Sequence, residues 1–135
     1  MKIKTITPNL MTEDVDKTVE WYKQYFGAHV VSSVPYHRDS NKLQWVRVKL
    51  GESELMFQLR ENILDEVSSL DLEKPNYDML SFFIVVVGLE KLYKTLKREK
   101  VTVVCDWHTT FYGMNEVMIR DCNGYLLNLA EPVKK

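Results

Sequence analysis

The chain has 135 residues, of which 45% are hydrophobic and 27% charged, a balance typical of one ordinary globular domain and not of a disordered segment. Its 18 Lys and Arg against 19 Asp and Glu leave a net charge of -1, which excludes a strong attraction to nucleic acid or to an anionic membrane. The sequence shows no secretory signal, membrane span or disulfide framework, so we expect a cytoplasmic protein with no nucleic-acid or membrane partner.

The first half of the chain begins with a predicted strand, helix and strand. An extended run at 6–11 is followed by Asp14, a residue type that favours the N-cap of a helix. Apolar residues then recur at helical spacing until Gly27 ends the pattern. They are Val15, Val19, Tyr22 and Phe26. A β-branched run at 29–32 predicts the next strand.

The second half of the chain repeats this order 74 positions later, so that Thr7 corresponds to Ser81. A strand is predicted over 81–86, an amphipathic helix follows it, and a β-branched run comes at 101–104. The apolar positions of that helix are Leu89, Leu92, Tyr93 and Leu96.

Each half ends in two further strands that are predicted to form a hairpin. Segments 45–59 and 115–129 are both fifteen residues long and superimpose without a gap at an offset of 70. The sequence therefore predicts an α+β fold built from two βαβββ repeats, about 3–59 and 80–129. We expect the two repeats to form a single domain over residues 1–135.

Two motifs accompany the duplication. The first helix carries DVDKTVEWY at 14–22, and the second hairpin runs from Gly113 to the turn DCNG at 121–124. Together with the repeat, these motifs resemble the glyoxalase/bleomycin-resistance/extradiol-dioxygenase superfamily, also called vicinal oxygen chelate, over nearly the whole chain. Cys122 stands where the family usually has proline. The resemblance implies that each half forms a curled mixed sheet, that the paired halves enclose a cup, and that the protein is a homodimer.

Side chains alternate along a strand, so the parity of a position assigns it to one face of its sheet. The residues expected under the helices are Val46, Val48, Leu50, Leu55, Phe57 and Leu59, with Met118, Leu127 and Leu129 from the second hairpin. The residues expected to face the cup are Thr7, Asn9, Met11, Trp45, Arg47, Lys49, Glu54, Met56, Gln58, Ser81, Phe83, Val85, Asn115, Val117, Ile119, Leu126 and Asn128. Glu116 is expected to point away from the cup.

We predict that a small-molecule ligand binds in this cup. The predicted ligand-binding residues are Thr7, Asn9, Trp45, Arg47, Met56, Gln58, Ser81, Phe83, Val117 and Asn128. Trp45 and Phe83 beside these polar side chains favour a partly flat ligand with polar edges, and Arg47 could bind an anionic one through two hydrogen bonds. The alternative is that Arg47 simply pairs with Glu54 near a solvated rim.

The resemblance also implies where a metal ion lies in the members that use one. Those positions fall on Thr7, Gln58, Ser81 and Asn128, and the repeat pairs Thr7 with Ser81 and Gln58 with Asn128. All four side chains are neutral, and hydroxyl and amide oxygens bind zinc, iron or nickel far more weakly than imidazole or carboxylate. We therefore predict no tight metal site and no cofactor.

The three histidines, His29, His37 and His108, are predicted to lie at the surface or at a rim, because nothing in their spacing brings them together. The polar loop predicted at 36–42 is either a plain connection or a flexible lid. The aromatic segment at 107–113 either packs against a partner subunit or closes over a ligand.

Three functions remain open on the sequence alone, and no catalytic residue is identified. The first is a metal-independent small-molecule-binding protein that resembles bleomycin-resistance members and changes no bond in its ligand. The second is a metal-dependent glyoxalase-like isomerase, lyase or dioxygenase whose metal ligands the sequence does not reveal. The third is an interaction module whose cup is filled by side chains. The four neutral positions favour the first.

Overall fold

The structure, a computed structural model, describes residues 1–73 and 77–134, and the chain divides into two compact units, Met1–Lys74 and Pro75–Lys135. The elements of the first unit are β1 (Asn9–Thr12), α1 (Val15–Phe26), β2 (His29–Tyr36), β3 (Asp39–Leu50), β4 (Ser53–Leu59) and α2 (Arg60–Glu66). Those of the second unit are a 3-10 turn (Tyr77–Met79), β5 (Ser81–Val85), α3 (Leu89–Arg98), β6 (Val103–Thr109), β7 (Met114–Arg120) and β8 (Leu126–Pro132).

The first unit is a four-stranded mixed sheet with the strand order β1-β4-β3-β2, in which β1 runs parallel to β4 and the other neighbours are antiparallel. Its helix α1 begins and ends where the sequence predicts. The Asp14 carboxylate accepts a hydrogen bond of 2.9 Å from the backbone N–H of Lys17. Gly27 ends the helix in the left-handed conformation, at a φ of 64° that costs glycine little.

The core of the first unit lies between α1 and one face of the sheet. Val19 and Tyr22 of α1 are buried, and the ring centroid of Tyr22 lies 5.0 Å from that of Phe57 on β4. Val46 and Val48 of β3 are fully buried on the same face as Phe57. Burial of each such apolar side chain stabilises the fold by roughly 1.5–3 kcal/mol. The opposite face of the sheet is therefore not covered by α1.

The segment 36–42 is a β-hairpin, and the prediction of a loop there is wrong. β2 extends to Tyr36 and β3 begins at Asp39, so only two residues form the turn. Arg38 in that turn makes an ion pair of 2.6 Å with Asp65 of α2. The strands of this hairpin are longer than the β-branched run that indicated them, and they continue into polar sequence.

The helix α2 was not predicted from the sequence. It has seven residues, and its N-terminal end has no side-chain cap. A helix this short is not stable alone and depends on contacts with the rest of the fold. Arg60 makes an ion pair of 3.2 Å with Glu13, and the Tyr36 hydroxyl lies 3.4 Å from the Glu61 carboxylate. These contacts hold α2 at the end of β4.

The second unit repeats the topology with the strand order β5-β8-β7-β6, in which β5 runs parallel to β8. Leu89 and Leu96 of α3 are fully buried. The first backbone N–H groups of α3 are bound by a side chain of β8, since the Glu131 carboxylate accepts hydrogen bonds of 2.7 Å from Gly88 and 3.2 Å from Leu89.

The hairpins that end the two units differ in their turns. In the first unit, Leu50 pairs with Ser53, which leaves a loop of two residues. In the second unit, Arg120 pairs with Leu126, which leaves a loop of five residues. The equal length of the two segments therefore does not reflect equal hairpins.

This difference changes the internal alignment. Trp45 lies opposite Gln58, and Met118 lies opposite Asn128. Asn128 follows Gln58 by 70 positions, as predicted, but Met118 follows Trp45 by 73. The alignment without a gap is wrong for β7, and because the shift is an odd number of residues it exchanges the two faces of that strand.

The predicted fold class is confirmed, since each unit has the order βαβββ and a mixed four-stranded sheet. The longest helix, α1, has 12 residues. Within residues 1–73 and 77–134, no helix combines the length and apolarity that a bilayer crossing requires.

Candidate functional site

The open face of the first unit, defined as the sheet face opposite α1, carries five of the predicted ligand-binding residues. Strand pairing places Trp45 opposite Gln58 and Arg47 opposite Met56, with Asn9 of β1 beside Met56. Paired residues project to the same side of a sheet, so these side chains share one surface. The structure thus places them where strand alternation predicts, and their binding of a ligand stays a prediction.

A chain of amides runs across this face. The Asn9 Nδ2 donates a hydrogen bond of 2.9 Å to Gln58 Oε1, and Gln58 Nε2 donates one of 2.7 Å to Asn62 Oδ1 of α2. Gln58 Nε2 also lies 3.4 Å from a carboxylate oxygen of Glu66. Gln58 is only 6% exposed and Asn62 only 3%. The helix α2 therefore covers Gln58 and fixes the orientation of its amide.

Arg47 is the cation at the centre of this face. Its Nη1 lies 3.4 Å from a carboxylate oxygen of Glu54, and its Nη2 lies 3.6 Å from the sulfur of Met56. The guanidinium carbon lies 6.0 Å from the ring centroid of Trp45. The predicted alternative of an Arg47–Glu54 pair is therefore present, yet each contact engages one N–H of a group that carries five. Arg47 is half-buried, so its remaining N–H groups are within reach of a ligand.

Thr7 lies just before β1 and is half-buried. The carbonyl of Pro8 accepts a hydrogen bond of 2.9 Å from the N–H of Met56, which continues the pairing of β1 beyond its first residue. Thr7 is thus adjacent to the open face but is not held in the strand.

In the second unit, the open face is the sheet face opposite α3. Phe83 of β5 lies beside Asn128, and Ser81 lies beside Leu126. Phe83 and Ser81 are exposed and Asn128 is half-buried. The structure therefore brings these three predicted ligand-binding residues to one surface.

Val117 is not on that surface, and its predicted placement there is wrong. It pairs with Leu129, and both residues are fully buried on the face that packs under α3. The same correction applies to Ile119, Asn115 and Met118, because the five-residue turn exchanges the faces of β7. Met118 belongs to the open face with Asn128, and Asn115 and Ile119 belong to the other face.

The same exchange brings Glu116 to the open face, contrary to the prediction. Glu116 pairs with Ala130 and is only 3% exposed. One of its carboxylate oxygens accepts a hydrogen bond of 2.9 Å from Asn128 Nδ2, and the other accepts one from the Tyr112 hydroxyl. The hydrogen bond from Tyr112 lowers the pKa of Glu116; burial opposes this shift, while Asn128 and the charge of His108 add to it. The carboxylate is therefore ionised at neutral pH.

Tyr112 reaches Glu116 because the turn between β6 and β7 folds back. The Thr110 hydroxyl accepts a hydrogen bond of 3.0 Å from the N–H of Met114, and Gly113 has a φ of 83° that a side chain would strain. Tyr112 is half-exposed over Glu116. The predicted contact of this aromatic segment with a partner subunit stays a prediction.

A sequence signal for the correct register of β7 does exist. At an offset of 73, Arg47 aligns with Arg120 and Val46 aligns with Ile119. Arg120 makes an ion pair of 2.8 Å with Asp78 and donates a hydrogen bond of 3.0 Å to the carbonyl of Gly124. The matched arginines indicate the register that equal segment length conceals.

The strand register also changes one of the two pairs of positions implied for a metal. Asn9 lies beside Met56, while Ser81 lies beside Leu126, which follows Met56 by 70 positions. Ser81 is therefore the counterpart of Asn9 and not of Thr7. Gln58 and Asn128 remain counterparts.

The side chains at these positions do not fit a divalent transition metal. Neutral amides and hydroxyls are weak donors, and they cannot offset the cost of removing water from such an ion. The amide of Gln58 is already engaged by Asn9 and Asn62, and that of Asn128 by Glu116. Within residues 1–73 and 77–134, no group of three His, Cys, Asp or Glu side chains is placed to hold a metal ion.

The three histidines are exposed, as predicted, and lie on different elements. His29 pairs with Lys49 at the start of β2. His37 Nδ1 lies 3.2 Å from Gln44 Oε1, and His108 Nδ1 lies 3.0 Å from the carbonyl oxygen of Asp106. The rings of His37 and His108 are thus engaged by neighbouring residues.

Comparison with known proteins agrees with this architecture. A sequence profile of the Glyoxalase/Bleomycin resistance protein/Dioxygenase superfamily matches residues 2–129. No curated protein sequence matches the chain. Among solved structures, TioX from Micromonospora sp. ML1 is similar, with a TM-score of 0.73 and 14% identity over 96% of this chain and 99% of that one.

Two further structures share the fold. The hypothetical protein SA1046 from S. aureus has a TM-score of 0.71 and 17% identity, covering 97% of this chain and 95% of that one. The lactoylglutathione lyase from Agrobacterium tumefaciens has a TM-score of 0.66 and 20% identity, covering 97% and 96%. Together with the profile match over most of its length, the fold identifies the chain as a member of the Glyoxalase/Bleomycin resistance protein/Dioxygenase superfamily.

Proposed function

We propose that this chain is a metal-independent small-molecule-binding protein whose first unit binds a flat, anionic ligand at Trp45 and Arg47. The observation that carries the proposal is the half-buried guanidinium of Arg47, which lies 6.0 Å from the ring centroid of Trp45. Both side chains are on the face of the sheet opposite α1. An aromatic surface beside a guanidinium is suited to a planar ligand that carries a carboxylate or a similar acid.

The ion pair between Arg47 and Glu54 does not prevent such binding. Its single N–O contact of 3.4 Å joins two side chains that are 36% and 32% exposed. Pairs of this kind contribute about 0–1 kcal/mol, whereas an arginine fork binds a carboxylate through two parallel hydrogen bonds. Replacement of Glu54 by a ligand carboxylate at Arg47 therefore gives a more favourable interaction free energy.

The donor chemistry of the first unit supports the metal-independent part of the proposal. The Gln58 amide is oriented by Asn9 and Asn62 and is nearly buried beneath α2. Gln58 thus places a neutral hydrogen-bonding group, and not a metal ligand, beneath the site. The lactoylglutathione lyase from Agrobacterium tumefaciens is an enzyme by name, but 20% identity supports a common fold and not a common reaction.

The metal question is tested on the purified protein. Metal content is measured by mass spectrometry, and thermal melting is followed with added Zn²⁺, Ni²⁺, Mn²⁺ and Fe²⁺. We expect substoichiometric metal and no ion-specific rise in melting temperature. Stoichiometric metal that a single His or Glu substitution abolishes would overturn the proposal in favour of a metal-dependent isomerase, lyase or dioxygenase.

The anion site is tested with 1-naphthoate as the probe and its neutral analogue 1-naphthamide as the comparison. We expect saturable binding of the naphthoate and a loss of about tenfold or more in affinity for Arg47→Ala, because a charge-assisted hydrogen bond contributes about 1.5–3 kcal/mol. Trp45→Ala should weaken both probes. The matched control is Lys49→Ala, since Lys49 is an exposed cation on the same face. Equal losses for the lysine and arginine variants would show a diffuse charge effect and no site.

A homodimer and a cytoplasmic location complete the proposal. They are supported by the resemblance stated above and by the composition of the chain. Light scattering on the full chain, measured over a range of concentrations, tests the dimer, and fractionation of expressing cells tests the location.

A further inference from the structure

Glu116 has an environment that the anion site does not explain. Its side chain is only 3% exposed, yet the hydrogen bonds described for its carboxylate come from two neutral groups, the Tyr112 hydroxyl and the Asn128 amide. Glutamate is almost never buried to this extent unless a cation accompanies it, because desolvation of an isolated charge is costly. The hydrogen bonds to this nearly buried carboxylate thus come from neutral donors, and His108, which lies opposite Glu116 in the strand register, acts on it through its charge and not through one of these bonds.

We propose that Glu116 is the recognition point for the ammonium group of an organic cation with an apolar body. This inference goes beyond the proposed function, because it concerns the open face of the second unit and a ligand group of the opposite charge. A protonated amine places a positive charge in direct contact with the carboxylate, which the two neutral donors do not, and it donates up to three hydrogen bonds.

Tyr112 marks the position that the ligand occupies. Its hydroxyl donates to the Glu116 carboxylate from a turn that folds back over the sheet, and the residue is 52% exposed. Rotation of an exposed tyrosine side chain is fast, so the phenol can leave without unfolding of the strand. An ammonium group then replaces a neutral donor by a charged one, and a charge-assisted hydrogen bond is the stronger of the two.

On the side of β8 and β5, the surroundings of Glu116 are apolar and accessible, whereas His108 lies opposite it on β6. Ala130 separates Glu116 from Val85 in one row across the sheet, which places the two backbones about 10 Å apart, or two strand spacings. Phe83, one row away, lies beside Asn128. Val85 and Phe83 are 61% and 56% exposed and, two positions apart on β5, lie on the same face. They offer contact to the hydrocarbon part of a ligand held at the carboxylate.

The test uses three probes of one shape on the full chain: 2-phenylethylammonium, neutral 2-phenylethanol and anionic 3-phenylpropionate. Binding is followed at neutral pH by titration with two-dimensional NMR, which also reports which residues shift. We expect the ammonium to bind at least about tenfold more tightly than the alcohol, with the largest shifts at the backbone amides of β7 and β8. The carboxylate probe should not bind on this face.

Two variants act in opposite directions. Glu116→Gln keeps the shape and an acceptor oxygen but removes the charge, so the ammonium should bind no better than the alcohol. Tyr112→Phe keeps the ring but removes the competing donor, so the ammonium should bind several-fold more tightly. Glu90→Gln is the matched control, because Glu90 is an exposed carboxylate of α3 in the same unit and pairs with Lys94 at 3.3 Å.

The inference is overturned if the three probes bind equally, or if Glu116→Gln leaves the affinity for the ammonium unchanged while its melting curve shows a folded protein. An unchanged or weakened affinity in Tyr112→Phe would also overturn it. The result is separable from that at Arg47, since Arg47→Ala should leave ammonium binding intact and Glu116→Gln should leave naphthoate binding intact.

Discussion

Gln58 donates a hydrogen bond of 2.7 Å to Asn62, and through this bond an unpredicted helix controls a predicted ligand-binding residue. Both side chains are nearly buried, so each depends on the other to satisfy its polar atoms. The amide of Gln58 is consequently a fixed feature of the open face of the first unit and not a flexible contact.

The first prediction concerns this bond. Asn62→Ala should lower the free energy of unfolding by about 1–3 kcal/mol, because it removes a hydrogen-bond acceptor from the Gln58 amide, which is nearly buried. Urea unfolding measures the change. Asn41→Ala serves as the control, since Asn41 is exposed in β3. If the free energy of unfolding falls by the same small amount in both variants, α2 does not depend on the hydrogen bond between Gln58 and Asn62.

The second prediction tests the corrected faces of β7. Val117→Asn places an amide in the fully buried layer under α3 and should destabilise the protein by about 3 kcal/mol or more. Met118→Asn, one residue further, changes the half-buried open face and should cost about 1 kcal/mol or less. Thermal or urea unfolding of the two variants, side by side, gives the answer. A larger loss for the Met118 variant would restore the alignment without a gap.

The third prediction concerns pH. The hydrogen bond from Tyr112 lowers the pKa of Glu116 in the folded protein below its usual value, which is about 4.3 in an unfolded chain. A carboxyl group whose pKa is lower in the folded state stabilises that state above the unfolded pKa, and this stabilisation is lost as the pH falls through the folded pKa. The difference in unfolding free energy between wild type and Glu116→Gln should therefore be largest near neutral pH and shrink below about pH 4.

Unfolding in urea at several pH values measures this difference, with Glu90→Gln as the exposed control. NMR titration of the Glu116 side chain adds a direct readout, because Tyr112→Phe removes the largest cause of the shift and should raise the pKa of Glu116. A pH-independent difference between wild type and Glu116→Gln would contradict the assignment.

The fourth prediction concerns the start of α1. Asp14→Ala should cost about 1 kcal/mol, because it removes the acceptor for the backbone N–H of Lys17 at the first turn of the helix. Glu20→Ala, in the middle of the same helix, removes only an exposed pair with Lys23 and should cost less. The comparison is made by thermal unfolding. Equal effects would show that the cap contributes nothing beyond surface charge.

The sequence was sufficient for the elements that follow local rules. The cap at Asp14, the apolar face with Val19 and Tyr22, and the glycine end of α1 all follow from spacing that a single helix imposes. In the first hairpin, alternation places Trp45 and Arg47 correctly because its two-residue turn adds nothing to the strand count.

The second hairpin shows where such reasoning stops. Its five-residue turn is not encoded by periodicity, and one odd shift moved Val117, Ile119 and Glu116 to the wrong faces at once. The helix α2 escaped prediction for a different reason. Its residues are too few to establish a period, and the partners that stabilise it, Glu13 and Tyr36, are distant in the chain.

The unequal turns have a consequence for how the two halves of this chain can recombine. In a chimera that joins β3 to the turn and strand that follow β7, the junction must keep each strand position on its original face. The length of the turn determines whether odd or even positions of the strand meet the helix. A chimera cut inside β3 and β7 at matched arginines, Arg47 and Arg120, keeps both faces. A junction chosen by equal segment length exchanges the two faces of one strand, so that its buried side chains become exposed.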